Sequence, residues 1–201
     1  MKVAVMASGR GSNFQALINA SKRGEMPDVE LVLLIVNKSE ARAIKIAEEN
    51  NITCKVIISN GKTREEFDQQ ALRLLKEMDI KIIVLAGFMK ILSPEFIKTY
   101  KNKILNIHPS LLPSFPGAHA HKDAIDYGAK KSGCTVHLVD EGIDSGPIIM
   151  QKTVNISEGE TEKSLSSKIL PYEHKILPKT LQLLCSGKII VSGRKTKIMS
   201  D

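Results

Sequence analysis

Short, almost continuously apolar runs recur along the first half of the chain, at residues 2–6, Glu30–Val36, 53–58, 81–86 and 103–108. Strands read this way when helices cover both faces of a sheet and no position along them meets water. Between the runs the apolar spacing changes to that of helices. Phe14, Leu17 and Ile18 share one face, and residues 39–47 form a second helix. Thr63 and Glu66 make a capping box for a third, which carries Phe67, Leu74, Leu75 and Met78 on one side. Ser93 and Pro94 open a fourth as N-cap and first helical residue. Strand and helix alternating in this manner predict an α/β fold with a parallel sheet.

After residue 108 the rhythm shifts towards strands. A short helix is expected near 122–127. Residues 133–139 alternate Cys134, Val136 and Leu138 against Thr135, His137 and Val139. A polar turn over 140–147 leads to a strand at 148–156. Residues 161–186 read as a helix interrupted by Pro171 and Pro178 and ended by Gly187. Residues 189–191 are expected to add an edge strand, and the remaining tail to be loose. One domain over 1–190 is predicted, with halves at 1–100 and 101–190 and a tail at 191–201.

Composition narrows the class. With 201 residues, 42% hydrophobic and 25% charged, the chain is an ordinary globular domain with a full core. No run approaches the ~18 apolar residues of a membrane span, and residues 1–6 lead straight into a strand rather than a secretory signal. Cys54, Cys134 and Cys185 are far apart and form no paired motif, so they read as free thiols in a reducing, cytoplasmic setting. The net charge of +7 raises the question of nucleic acid, but the lysines are scattered and only 4% of residues are aromatic, with no Trp for stacking. A surface that favours small anions, with no nucleic-acid or membrane partner, fits better.

Two stretches carry chemistry. Ser8-Gly9-Arg10-Gly11-Ser12-Asn13 lies between the first strand and the first helix, where unpaired N–H groups and the helix dipole face an anion. Gly9 and Gly11 allow positive φ and close approach, and Ser12 and Asn13 are expected to cap the helix and add donors. The complete dinucleotide and P-loop patterns are both missing, so the loop is suited to a single phosphate. The second stretch, Asn106-Ile107-His108-Pro109, ends a strand. Residues i and i+2 share a face, so amide and imidazole emerge together, and Pro109 with Pro113, Pro116 and Gly117 makes a stiff loop beyond them. An imidazole carries protons near neutral pH, an amide donor suits an oxyanion, and Asp126, Asp140 or Asp144 would orient the ring. The reaction class is acyl transfer without a covalent intermediate, since no Ser or Cys sits in a nucleophile elbow, with Cys134 the alternative nucleophile.

Ser8-Gly-Arg-Gly-Ser-Asn13, Leu85-Ala-Gly-Phe-Met-Lys-Ile-Leu-Ser-Pro94, Leu105-Asn-Ile-His-Pro-Ser-Leu-Leu-Pro113 and Asp144-Ser-Gly-Pro147 together closely resemble the phosphoribosylglycinamide formyltransferase family. The likeness runs in order from residue 1 to about 190. It implies a mostly parallel seven-stranded twisted sheet in three layers, helices on both faces, with a Rossmann-like, phosphate-binding first half and a catalytic, folate-binding second half. It implies formyl transfer from 10-formyltetrahydrofolate to the amine of 5'-phosphoribosylglycinamide, in purine biosynthesis, without a metal. Asn106, His108 and Asp144 match the family's catalytic trio. Gly11, Ser12, Asn13 and Glu173 match positions on the ribonucleotide, while Arg64, Met89, Lys90, Ile91, Leu92, Asn106, Val139, Asp140 and Glu141 match the folate site. The implied sequence of events has the neutral amine attack the formyl carbon while Asn106 and protonated His108 hold the oxyanion. A proton then reaches the departing folate nitrogen through His108 or a water held by Asp144.

Two positions depart from that pattern. Lys90 stands where the family commonly has Arg, and it lacks Arg's forked contact. Pro171 lies just before Glu173 and is expected to bend the helix. Formyltetrahydrofolate hydrolase shares the trio and is the alternative activity; it carries an added N-terminal regulatory domain, whereas the strand here begins at residue 2. Methionyl-tRNA formyltransferase has a further nucleic-acid-binding domain. His119 and His121 have no ligand spacing beyond their own pair. The assembly is expected to be a monomer or homodimer.

Overall fold

The computed structural model describes residues 1–199. Seven strands form the main sheet: β1 Lys2–Ala7, β2 Glu30–Val36, β3 Thr53–Val56, β4 Ile82–Leu85, β5 Ile104–His108, β6 Lys131–Leu138 and β7 Ile148–Asn155. Their spatial order is β3-β2-β1-β4-β5-β6-β7. The pairs from β3 through β5 are parallel, and β6 and β7 join antiparallel. The helices are α1 Ser12–Lys22, α2 Ala43–Glu49, α3 Arg64–Glu77, α4 Pro94–Thr99, α5 Ala120–Asp126 and α6 Glu162–Cys185.

Side-chain alternation in the strands builds two cores. Val3 and Val5 of β1 face Phe14 and Leu17 of α1, Ala43 of α2, and Leu165, Leu177 and Leu181 of α6. Ala4 and Met6 face the other way, onto Phe67 and Leu75 of α3 and Phe96 of α4. The result is the expected three-layer α/β sandwich. The order of strands reverses between β1 and β4, and in such sheets the loops leaving the carboxyl ends diverge there to leave a crevice.

Four local expectations are corrected. Helix α6 is unbroken across Pro171 and Pro178. Each proline removes a helical hydrogen bond at a cost of about 3 kcal/mol, but Leu165, Ile169, Ile176, Leu177 and Leu181 are all buried along the helix, each contributing about 1.5–3 kcal/mol. Burial wins. The cap of α1 is Gly11, at φ 74°, with no side-chain hydrogen bond; Ser12 and Asn13 lie inside the helix instead. A Cβ at Gly11 would sit 2.8 Å from the Cβ of Ala43, whereas one at Gly9 would meet nothing within 4 Å, so only Gly11 needs to be glycine. The tail is not loose: β8 Ile189–Ser192 pairs with β9 Lys195–Ile198 as a separate two-stranded sheet, not as an edge of the large one. Thr196 Oγ1 donates to the Ile148 carbonyl of β7 at 2.6 Å, tying this hairpin to the main body. The capping box of Thr63 and Glu66 forms as expected.

Candidate active site

Strand pairing assembles the polar cluster. Asn106 and His108 lie on β5, and β6 runs antiparallel beside them with Asn106 opposite His137 and His108 opposite Thr135. The Pro-rich loop after His108 is pinned to the sheet. Thr135 Oγ1 donates to Ser110 O at 2.7 Å and accepts from Leu112 N at 3.1 Å, and Gln151 Nε2 donates to Leu112 O at 2.9 Å. The loop then folds back so that Phe115 O lies 2.8 Å from His108 Nε2.

Asp144 arrives from the β6–β7 connection, which is tied to itself. Asp140 Oδ1 accepts from Ser145 Oγ at 2.6 Å and from Gly142 N at 3.2 Å. Asp144 has φ 49°, a left-handed conformation that costs a non-glycine residue about 1–3 kcal/mol and clusters at functional sites. Of the three aspartates left open by spacing, it is the one at the imidazole. Its Oδ2 lies 3.2 Å from His108 Nδ1 and accepts from Gly117 N at 2.8 Å. Its Oδ1 accepts from Asn106 Nδ2 at 3.2 Å and lies 3.6 Å from His137 Nε2. Asn106 Nδ2 also lies 3.1 Å from His137 Nε2, and His137 Nδ1 is 2.9 Å from Leu138 O.

These contacts set the protonation. Burial pushes His108 below the ordinary imidazole value, with His137 adding to the effect, while the Phe115 carbonyl and Asp144 pull it back up. Burial alone would raise Asp144, but His137, the Gly117 N–H and His108 hold it below the usual carboxylate range. An ionised carboxylate thus faces an imidazole that burial biases towards its neutral, proton-accepting form. Burial drives the Cys134 thiol up to about 12, with Glu173 adding to the effect, so it is no thiolate nucleophile.

Beside the cluster is a cleft of about 110 Å³, open to solvent. Its lining includes Phe88, Lys90, Ile91, Leu92, Asn106, His137, Val139, Asp140, Glu141 and Asp144. Two of the residues matched to the folate site stand outside that lining. Met89 is 67% exposed, and Arg64, in the first turn of α3, is engaged with Glu65 at 3.2 Å.

The Gly11 loop lies at the carboxyl end of β1. Asn13 Nδ2 donates to Glu173 Oε2 at 2.8 Å across from α1 to α6, so Pro171 does not turn Glu173 away. Glu173 is only 7% exposed, and burial raises its pKa against the pull of Asn13 and Arg10. Asn13 Oδ1, His121 Nε2 and His174 Nε2 are buried without a partner among the described residues. Polar groups buried in that state call for a ligand or water.

His137 was not singled out by the chain pattern, because a lone histidine in an apolar strand acquires meaning only once its register opposite Asn106 is known. Among the described residues no group of three or more His, Cys, Asp or Glu side chains is placed to hold a metal ion, and no helix is long and apolar enough to cross a membrane.

An open α/β sheet with a histidine–carboxylate pair at its carboxyl rim presents that pair where such sheets bind their ligands. Residues 1–181 match the formyl transferase family model, and the chain belongs to that family. The "Phosphoribosylglycinamide formyltransferase" of Escherichia coli (strain K12) is 35% identical over 193 residues, 94% of this chain and 89% of that protein. The "Trifunctional purine biosynthetic protein adenosine-3" of Gallus gallus is 45% identical over 199 residues, 98% of this chain but only 20% of the length of that relative. Among solved structures, glycinamide ribonucleotide transformylase 1 from Symbiobacterium toebii superposes with a TM-score of 0.96 at 33% identity, covering 100% of this chain and 94% of that one. A formyltetrahydrofolate deformylase from Pseudomonas syringae pv. tomato shares the architecture, with a TM-score of 0.92 at 28% identity, over 99% of this chain and 66% of that one.

Proposed function

We propose that the protein transfers the formyl group of 10-formyltetrahydrofolate to the amine of 5'-phosphoribosylglycinamide, releasing tetrahydrofolate and the formylated ribonucleotide for purine synthesis. The observation that carries this reading is the convergence of Asn106, His108 and Asp144 beside a cleft at the carboxyl rim of the sheet. Relatives named for the same activity, at 35% identity or more over nearly the whole chain, support it.

Gly11, Ser12 and Asn13 receive the phosphate with the N-terminal N–H groups of α1, and Glu173 takes ribose hydroxyls. The donor's ring system lies in the cleft lined by Lys90, Ile91, Leu92, Val139, Asp140 and Glu141. Met89 and Arg64 stand outside that lining and meet the exposed part of the folate. Residues 1–190 act as one domain, the first half holding the phosphate and the second the donor. Free cysteines fit the reducing cytoplasm in which such an enzyme works.

In the mechanism, the amine nitrogen attacks the formyl carbon. His108 enters neutral, because burial holds its pKa down; it takes the proton that the attacking nitrogen gives up. The imidazolium, paired with ionised Asp144, then stands beside the oxyanion. Asn106 adds an N–H donor, turned to the ligand from the contacts it makes with Asp144 and His137 in the free protein. The proton passes from His108, or through a water held by Asp144, to the folate nitrogen as its bond to carbon breaks. No step needs a metal.

The test is an absorbance assay for tetrahydrofolate with the ribonucleotide present and then omitted. Product that forms only with the ribonucleotide is expected. Equal rates in both cases would overturn the transferase in favour of the hydrolase suggested by the deformylase likeness.

A further inference from the structure

The strand order reverses between β1 and β4, and the loops that leave these two strands serve different ligands in the function proposed above. One is the phosphate loop and the other, from Gly87 to Leu92, borders the donor cleft. Loops diverging at such a point have no reason to move together unless something ties them. Ser8 does. Its backbone N–H donates to Gly87 O at 3.1 Å, and its Oγ accepts from Met89 N at 2.8 Å. Ser8 is 6% exposed, so this bridge is shielded from competing water. Three residues on, Gly11 starts α1 with little freedom, its Cα region pressed against Ala43, and Gly9 O accepts from Ala43 N at 3.2 Å. The phosphate loop is therefore held on one side by α2 and on the other, through Ser8, by the donor loop.

We propose that Ser8 is a positioning residue that couples the two substrate sites, so that each ligand raises affinity for the other. Phosphate bound at Gly11–Asn13 orders the loop and with it the Oγ that holds Met89 N. Ordering of the Met89–Leu92 segment, whose Met89 and Ile91 side chains are largely exposed in the free protein, is then a cost already met when the donor binds. Linkage makes the effect reciprocal. The proposal rests on the ligand assignments above.

Calorimetric titration tests it with two probes, 5'-phosphoribosylglycinamide and a deazafolate whose formyl group cannot be transferred, each added with the other absent and then saturating. Wild-type protein should bind each ligand at least about fivefold more tightly with the other present, the lower end of common coupling factors. Ser8→Ala should bring that factor to within about twofold of unity, with the two affinities measured alone far less changed. Ser8→Cys, close in shape but a poor acceptor, should do the same, and Ser8→Thr, which keeps the hydroxyl, should restore coupling. Wild-type factors in Ser8→Ala and Ser8→Cys, or both ligands weakened equally with coupling intact, would reduce Ser8 to a structural contact and overturn the proposal. Independent binding in the wild-type protein would also overturn it. Failure of wild-type protein to bind either ligand alone would instead remove the functional reading itself.

Discussion

At the scale of single residues, the site works by opposing pulls on one imidazole. Both nitrogens of His108 face acceptors, Phe115 O and Asp144 Oδ2, an arrangement that suits the protonated ring, while burial favours the neutral one and prevails. The sign of a perturbation follows. Removing the negative charge in Asp144→Asn takes away a contribution that raises His108, so its pKa falls further. The acid limb of the kcat/KM profile should therefore move to lower pH than in the wild-type protein. The maximal rate should fall by about 10²–10⁴-fold as general acid–base help is lost. A pH–rate series on both proteins checks this, and a limb that moves upward would reverse the assignment. Asn106 and His108 were legible from their spacing on a strand end. Asp144 was chosen only through the family likeness, since three aspartates fitted the spacing.

Elements contribute by bringing distant side chains to a common point. Helix α6 reaches across the body and places Glu173 on Asn13 of α1, 160 residues away in the chain. Asn13→Ala leaves a buried carboxyl without its donor. Stability should drop by about 1–3 kcal/mol, and the KM for the ribonucleotide should rise at least tenfold with the donor KM nearly unchanged. Steady-state kinetics with each substrate varied separately provides the check. Sequence periodicity located these helices well, but two errors share one cause. Pro171 and Pro178 read as breaks when only proline's local cost counts. Five buried aliphatic positions along the same helix outweigh that cost, and their burial is visible only in three dimensions. Ser12 likewise reads as a cap because its type favours that role, whereas the close approach of Ala43 makes Gly11 the residue at the turn.

At the scale of the whole molecule, the sheet separates two cores that share no side chains. Phe96, fully buried under α4, belongs to one, and Leu177, fully buried on α6, to the other. Phe96→Ala should cost about 3–5 kcal/mol and Leu177→Ala about 2–5. Because the sheet stands between them, the double variant should equal the sum to within about 0.5 kcal/mol. Urea unfolding of the four proteins measures this, and a larger discrepancy would mean that strain passes through the sheet. The layer arrangement was readable from alternating strand and helix patterns. The hairpin of β8 and β9 was legible only in part: Ile189, Ile190 and Val191 mark the first strand, but β9 is short and largely polar, and the tie to β7 through Thr196 is a contact between segments far apart in the chain.

One consequence lies in the pairing of β5 with β6. Asn106 and His137 meet because they sit opposite each other, and side chains alternate faces at every step along a strand. Lengthening or shortening β6 by a single residue ahead of His137 would swing that ring to the far side of the sheet while leaving most backbone hydrogen bonds able to re-form. The outcome would be a folded protein in which Asn106 and Asp144 lose the imidazole beside them. Insertions and deletions can therefore be absorbed in the connecting loops, whereas the length of this one strand is as much a part of the chemistry as the residues it carries.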